Sequence, residues 1–304
     1  MRENARSGGG GRASFISDPR GRWRTAMSAP QPHSMRVDGA ELYCESRGTG
    51  PVLLLIAGGN GDATAYQAMS SLLSDRFTIV TYDRRGFSRS TLDRPPNDAQ
   101  RLELDTDDAR LLIERYSDGP AYVFGSSSGA IVALNLLTRH SSQIRRLVAH
   151  EPPIATLLSD SENQLAVLDH VYTTYRASGA EEAMREFSVA NGIGPGPTLP
   201  PGAEHDPRVA RMLEVAQRNF EFWLEHELRQ YPRFVPDMKA LGAVADRLVL
   251  AGGRDSQQYF PYRPNTVLGQ MLHLSVVNFP GGHVGYATHP RDFASQLANV
   301  LLRT

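Results

Sequence analysis

Gly125-Ser126-Ser127-Ser128-Gly129 is the most informative segment of this sequence for its fold. It directly follows a short apolar run at residues 121–124 and opens a helical pattern. The pattern G-x-S-x-G between a strand and a helix is typical of a tight turn that lifts the middle serine above a sheet. The turn accepts only small neighbours, and the pattern occurs here in one register. Ser127, rather than Ser126 or Ser128, is therefore the candidate nucleophile.

Apolar runs alternate with helical patterns on both sides of this turn. Runs suited to strands buried in a parallel sheet lie at 52–56, 77–82, 121–124, 144–150, 247–252 and 274–279. Helical patterns lie at 65–73, 105–116, 128–139 and 290–302. The alternation predicts an α/β fold with a mostly parallel central sheet covered by helices. Upstream, Asp38-Gly39 between two strand-like runs predicts a β-hairpin.

The alternation breaks between residues 152 and 241. Helical patterns fill this stretch at 161–176, 180–190 and 209–230, and a loop rich in Gly and Pro lies at 192–202. We predict a helical cap at 153–238, inserted between core segments at 34–152 and 239–304. Residues 1–33 are rich in Gly, Arg, Ser and Pro, so we predict a disordered tail, with Met27 and Met35 as alternative starts to Met1.

Composition and charge limit the kinds of partner that we expect this protein to bind. The formal net charge is -1, so we expect no nucleic-acid partner. No stretch approaches the roughly 20 apolar residues that span a bilayer, and the tail lacks a secretory pattern. These features predict a cytoplasmic monomer or homodimer that acts on a small molecule and does not bind a membrane. The one cysteine, Cys44, forms no intramolecular disulfide, and we read it as a packed residue; we expect no metal site.

A serine nucleophile needs a base and an acid. His283 follows the run at 274–279 and a Gly-Gly pair, which places it on a loop at the edge of the sheet where Ser127 lies. The histidines at 140, 150, 170 and 226 are read as satisfied histidines, with hydrogen-bond partners, or as surface residues. Asp255 follows the run at 247–252 and is the preferred acid. Glu151 follows the run at 144–150 at the same edge and is the alternative acid.

These motifs resemble the α/β-hydrolase superfamily across about residues 35–304. Besides Gly125 to Gly129, the segment from Asp83 to Ser90 is similar to the D-x-R-G-x-G-x-S loop of many members, with Ser88 in place of the second glycine. The order Ser127, Asp255, His283 is the nucleophile–acid–base order of that fold. Ala57-Gly58 stands where the family often has His-Gly, which weakens any transfer of substrate class.

The resemblance implies an oxyanion hole formed by two backbone N–H groups. One belongs to Ser128, the residue after the nucleophile, and the other to Gly59 in the glycine-rich loop after the first parallel strand. Asn60 in the same loop is a candidate substrate contact. A dinucleotide-binding reading of Gly59 and Gly61 is disfavoured, because the remaining glycine spacing and an acidic ribose ligand are missing.

The cap should determine specificity. Phe220 and Trp223 can share a helix face, where they either line an apolar pocket over Ser127 or pack the cap onto the core. A charge run nearby, comprising Glu221, Glu225, Glu227 and Arg229, predicts a solvated face.

The resemblance and these residues together predict a serine hydrolase without cofactors that cleaves an ester, thioester, lactone or amide of a small apolar molecule through an acyl-enzyme. The alternatives are a cofactor-free lyase or oxygenase on the same triad, or a small-molecule binding protein with a residual triad.

Overall fold

The computed structural model describes residues 15–17, 23–25, 29–194, 202 and 205–303. Its strands are β1 (Phe15–Ser17), β2 (Trp23–Thr25), β3 (Gln31–Val37), β4 (Ala40–Arg47), β5 (Val52–Ile56), β6 (Thr78–Tyr82), β7 (Thr91–Leu92), β8 (Ala121–Ser126), β9 (Ile144–His150), β10 (Leu248–Gly253) and β11 (Val277–Phe279). Its α-helices are α1 (Gln67–Leu73), α2 (Arg101–Tyr116), α3 (Ser128–Arg139), α4 (Ser161–Ser178), α5 (Ala180–Ala190), α6 (Pro207–His226), α7 (Met238–Ala243), α8 (Arg263–Leu272), α9 (Gly285–Thr288) and α10 (Pro290–Leu302).

One large sheet carries the fold, in the strand order β11-β10-β9-β8-β5-β6-β4-β3, and β7 pairs with β4. The strands from β11 to β6 pair in parallel, whereas β4 pairs antiparallel with both β6 and β3. All five residues of β5 are buried, as a strand covered on both faces requires. The predicted α/β fold with a mostly parallel sheet is confirmed.

Helices cover both faces of the sheet. Apolar residues of α2, α3 and α8 pack on one face in a cluster that includes Leu112, Ile131 and Leu268. Residues of α1 and α10 pack on the other face, with Met69 and Phe293 among them. The carboxyl ends of the parallel strands therefore open at a single edge, where loops can bring side chains together.

The predicted hairpin forms between β3 and β4, with Val37 opposite Ala40. Gly39 has a φ of +72°, a conformation that glycine adopts without a steric penalty. The strand β3 starts at Gln31, inside the predicted tail, and β1 pairs with β2 within the same segment. The rest of the predicted tail lies outside the described residues.

The helices α4 to α7 occur between β9 and β10, where the sequence predicts the cap. Residues of α4, α5 and α6 share an apolar cluster with Phe87 and Phe260. Most of the predicted loop at 192–202 lies outside the described residues. The helix α8, between β10 and β11, was not predicted. Among the helices of the described residues, none is long and apolar enough to cross a membrane.

The predicted solvated charge run is wrong at one residue. Glu227 is buried, whereas Glu221 and Glu225 are partly exposed. Glu227 forms ion pairs with Arg84 and Arg101, both of which are also buried. A buried carboxylate is tolerated only when it is paired in this way.

Candidate active site

Ser127 lies on a strained turn between β8 and α3. Its φ is +54° and its ψ is -125°, values that a non-glycine residue adopts only where the surrounding structure enforces them. A Cβ on Gly125 would lie 2.3 Å from the Gly129 carbonyl oxygen, and a Cβ on Gly129 would lie 2.2 Å from the Ile56 carbonyl oxygen. Both glycines are therefore required for the turn to pack against the sheet.

The turn places Ser127 at the edge of the sheet next to β9. Its N–H donates to the His150 carbonyl oxygen at 2.9 Å, and its side chain is partly exposed. The residue also precedes the first turn of α3, whose free N–H groups favour negative charge. These are the surroundings that an attacking hydroxyl requires.

His283 reaches the same edge on the loop after β11. The loop crosses the end of β10, since a Cβ on Gly253 would lie 2.6 Å from the Gly281 carbonyl oxygen. His283 is buried, and its Nδ1–H donates to Glu151 Oε2 at 2.6 Å. This bond occupies Nδ1 and leaves Nε2 as the nitrogen that can exchange a proton with a hydroxyl.

Glu151 is fully buried at the end of β9. Its second oxygen, Oε1, accepts the Gly253 N–H at 2.7 Å and the Ser256 hydroxyl. Burial on its own would raise the pKa of Glu151, but the hydrogen bond and positive charge of His283 lower it to about 2. The carboxylate is consequently ionised at neutral pH and faces the imidazole.

The structure does not bring Asp255 to His283. Asp255 is exposed, and its N–H donates to the Gly281 carbonyl oxygen at 3.2 Å. Asp255 lines an open depression with Arg254 and His289. The choice of Asp255 over Glu151 is thus corrected: β10 ends at Gly253, and the turn that follows directs Asp255 outward, while Glu151 occupies the position beside the imidazole.

The glycine-rich loop after β5 lies against the turn at Ser127. A Cβ on Gly58 would come within 3.0 Å of the Ser127 Cβ. Ser128 is the first residue of α3, where an N–H has no acceptor within the helix. The two predicted oxyanion donors, Gly59 and Ser128, therefore belong to segments that flank Ser127.

Trp223 of α6 covers these segments. Its indole N–H lies 3.4 Å from the Ser128 hydroxyl oxygen, and a Cβ on Gly59 would lie 2.7 Å from the same indole nitrogen. Trp223 also contacts Phe187 of α5, with ring centroids 4.8 Å apart. The side chain thus both packs within the insertion and faces the site.

A small cavity lies between Ser127 and the inserted helices. Its volume of about 20 Å³ is room for about one water molecule. Its apolar lining includes Trp223, Phe187, Leu168 and Leu228. Phe220 and Asn60, the other predicted substrate contacts, are partly exposed and do not line this cavity. Entry of a substrate requires the inserted helices or their side chains to move.

The chain matches the model of the alpha/beta hydrolase family over residues 53–296. It belongs to this family. It is 32% identical over 272 residues to an uncharacterized hydrolase, YraK, of Bacillus subtilis (strain 168), covering 88% of this chain and 95% of that protein. It is 26% identical over 292 residues to a zearalenone hydrolase of Bionectria ochroleuca, covering 90% and 96% of the two chains.

Solved structures share the fold of this alpha/beta hydrolase. An enol-lactonase from Burkholderia xenovorans LB400 superposes with a TM-score of 0.66 at 17% identity, covering 89% of this chain and 100% of the other. A hydrolase from Pseudomonas aeruginosa PA01 has a TM-score of 0.64 at 18% identity, covering 91% and 100%. The chain is accordingly an enzyme of the alpha/beta hydrolase family.

One residue near the site of this alpha/beta hydrolase differs from the expectation of a satisfied histidine. His150 precedes Glu151 and is fully buried between aromatic rings, including Phe124 and Phe293. Neither of its ring nitrogens has a hydrogen-bond partner among the described residues. Burial lowers the pKa of His150 to about 4, so the ring is neutral at neutral pH.

Proposed function

We propose that the protein is a serine hydrolase that uses Ser127, His283 and Glu151 as its catalytic triad. The observation that carries the proposal is the buried His283–Glu151 pair at the sheet edge where the strained turn presents Ser127. Such a pair holds the imidazole in the tautomer that accepts a proton at Nε2 and stabilises the imidazolium that results. Asp255 has no role in this triad.

The proposed reaction is a two-step acyl transfer. His283 Nε2 takes the Ser127 proton while Ser127 Oγ attacks the substrate carbonyl carbon. The Gly59 and Ser128 N–H groups stabilise the oxyanion, and the imidazolium protonates the leaving oxygen. Water then attacks the acyl-enzyme with His283 again as base, and the acid product leaves.

The substrate class that we propose is an ester or lactone of a small apolar molecule. The lining of the cavity at Ser127 is mostly aliphatic and aromatic, which favours an apolar acyl group or ring. The similarity to a zearalenone hydrolase, together with the fold shared with an enol-lactonase, supports lactones as the first substrates to test. We further propose that α4 to α6 act as a cap that closes over the substrate.

A covalent probe tests the nucleophile. We expect a fluorophosphonate to label the wild-type protein and Ser126→Ala, and Ser127→Ala to be neither labelled nor active on a short p-nitrophenyl ester. Ser126 is a suitable control because it is buried beneath the turn, where its hydroxyl bonds to Tyr66. Labelling that persists in Ser127→Ala would refute the assignment. Labelling without turnover of esters or lactones would instead favour a binding protein.

A further inference from the structure

Arg84, in the loop after β6, contacts the backbone beside the nucleophile. It occupies a position of the Asp83 to Ser90 loop at which the family pattern specifies no residue type. Its guanidinium is fully buried, and Nη2 donates to the Gly58 carbonyl oxygen at 2.9 Å. The same carbonyl accepts the Gly61 N–H at 2.9 Å, which closes a turn. Arg84 thus donates a charged hydrogen bond to Gly58, the residue before the proposed oxyanion donor Gly59.

The hydrogen bond from Arg84 to the Gly58 carbonyl also determines the direction of the Gly59 N–H. The Gly58 carbonyl and the Gly59 N–H belong to one peptide unit, and in a trans peptide these two groups point in opposite directions. The described residues contain no cis peptide. Because Arg84 holds the carbonyl on one side, the Gly59 N–H is directed to the other, and among the described residues it has no hydrogen-bond acceptor.

Glycine on both sides of this peptide makes such a restraint necessary. Gly58 and Gly59 have no Cβ to limit rotation, so the peptide between them can turn at little steric cost. Reversal of the peptide would present a carbonyl, rather than an N–H, to the developing oxyanion. A charge-assisted hydrogen bond from a buried guanidinium opposes that reversal more strongly than the turn bond alone.

Arg84 is itself held by the inserted segment. Glu227, just after α6, accepts from Arg84 at 2.7 and 3.0 Å, and Asp105 of α2 accepts at 2.9 Å. Arg101 completes the cluster by donating to Glu227 at 2.9 Å. These hydrogen bonds run from Glu227 through Arg84 to Gly58. They connect the end of α6 to the Gly58–Gly59 peptide beside Ser127.

We infer that Arg84, seated by Glu227, is a positioning residue that orients the Gly58–Gly59 peptide so that its N–H serves the oxyanion hole. Arg84 and Glu227 thereby make the orientation of the Gly59 N–H depend on the packing of α6 against the core. The inference rests on the proposed serine hydrolase function, because only a reaction with an oxyanion needs this N–H.

A double variant that leaves the net charge unchanged tests the inference. Arg84→Met combined with Glu227→Gln removes the donor to Gly58 and one buried carboxylate, so the net charge of the cluster stays the same. The matched control is Arg85→Met with Asp108→Asn, which removes a buried ion pair between the same loop and α2. Arg85 forms no hydrogen bond to the glycine-rich loop. Each double variant removes one buried arginine and one buried carboxylate.

We expect the Arg84/Glu227 variant to lose about 10- to 100-fold in kcat, approaching the 10²–10³ that removal of an oxyanion donor costs. KM should change by less than about three-fold, and the Ki of a boronic acid, which forms a tetrahedral adduct with serine, should rise in parallel with the loss in kcat/KM. The control should keep kcat within about three-fold of the wild type even where its melting temperature falls. Equal losses of kcat in both double variants would overturn the inference.

A crystal structure of the Arg84/Glu227 variant gives a readout that does not depend on activity. We expect the Gly58–Gly59 peptide to be reversed or to occupy two orientations. A peptide that keeps its wild-type orientation would refute the inference whatever the kinetics. A wild-type protein that neither reacts with fluorophosphonate nor cleaves esters or lactones would refute the proposed function instead, and the crystal structure would still decide the role of Arg84.

Discussion

Glu151 adopts a backbone conformation that a non-glycine residue rarely enters, with a φ of +51°. Its N–H donates to the Ala251 carbonyl oxygen at 3.0 Å, so the neighbouring strand β10 holds the residue in this conformation. The positive φ turns the chain away from β9, and the carboxylate meets His283 and the Gly253 N–H. Strain at this residue is offset by hydrogen bonds that also position the carboxylate.

The first prediction separates the two acids considered from the sequence. Glu151→Gln should lower kcat on the order of 10³–10⁴-fold, since the amide cannot stabilise the imidazolium or fix its tautomer. Asp255→Asn should leave kcat nearly unchanged, because Asp255 is exposed and His283 Nδ1 bonds to Glu151 instead. The measurement is steady-state hydrolysis of a p-nitrophenyl ester. A larger loss in Asp255→Asn than in Glu151→Gln would restore Asp255 as the acid.

At the scale of an element, α6 is the inserted helix with the most direct contact to the site. Trp223 faces the cavity, and the neighbouring Phe222 points to the loop after β6, where it contacts Phe87 at a centroid distance of 4.9 Å. Asn219, one turn earlier, bonds to the Ser88 N–H at 3.0 Å. Ser88 stands in the place of the family's second glycine and keeps a positive φ of +46°. The helix is therefore attached to that loop along its last two turns.

The second prediction compares two aromatic residues of α6. Trp223→Ala should shift the preferred acyl chain length or ring size of the substrate by enlarging the cavity, and should cost about 3–5 kcal/mol of stability. Phe222→Ala, the control, should lower stability without altering the preference, because Phe222 does not line the cavity. A chain-length series measured beside thermal melts distinguishes them. An unshifted profile in Trp223→Ala would remove Trp223 from the substrate site.

For the whole molecule, the buried ring of His150 makes the free energy of unfolding depend on pH. Its pKa of about 4 lies below the ordinary value near 6.5, because burial disfavours the charged ring. The unfolded chain therefore takes up a proton at a higher pH than the folded chain does. Stability from the neutral ring is fully present above about pH 6.5 and is lost as the pH falls towards 4, at about 1.4 kcal/mol per pH unit.

The third prediction uses this titration. His150→Phe should flatten the fall in unfolding free energy between about pH 6.5 and 4, since a phenyl ring fits among the surrounding aromatic rings and takes up no proton. The exposed His289→Phe is the control and should keep the wild-type slope. Urea unfolding at a series of pH values supplies the data. An unchanged slope in His150→Phe would assign the acid sensitivity to other groups.

The loss of Glu151 ionisation occurs in a separate window. The pKa of Glu151 is lowered to about 2, so its contribution to stability is present above the ordinary glutamate pKa near 4.3 and disappears as the pH falls towards 2. Burial lowers the pKa of His150. At the adjacent Glu151, burial would raise the pKa, but the pairing with His283 outweighs it. The ring of His283 pairs with Glu151, whereas the ring nitrogens of His150 have no hydrogen-bond partner among the described residues.

Local patterns in the sequence determined the fold and the nucleophile turn. The buried runs that became β5, β8 and β9 and the glycines around Ser127 act over a few residues, where sterics and hydrophobic periodicity suffice. The place of His283 follows from the same kind of local signal, because a Gly-Gly pair after a strand predicts a loop at the sheet edge. The helix α8 was not predicted, because only Leu268 among its buried residues is a typical apolar core residue; the others are Pro264, Asn265 and Gly269.

Only the tertiary structure decided which acid meets His283 and which charges are buried. Glu151 and Asp255 both follow parallel strands, and nothing local says which carboxylate points inward. The outcome depends on where β10 ends and how the His283 loop crosses Gly253. Glu227 likewise reads as part of a solvated face, and its burial depends on Arg84 and Arg101, more than 120 positions away in the chain. The physical reason is that desolvation and charge pairing act through space between distant segments, whereas strand, turn and helix signals act between neighbours.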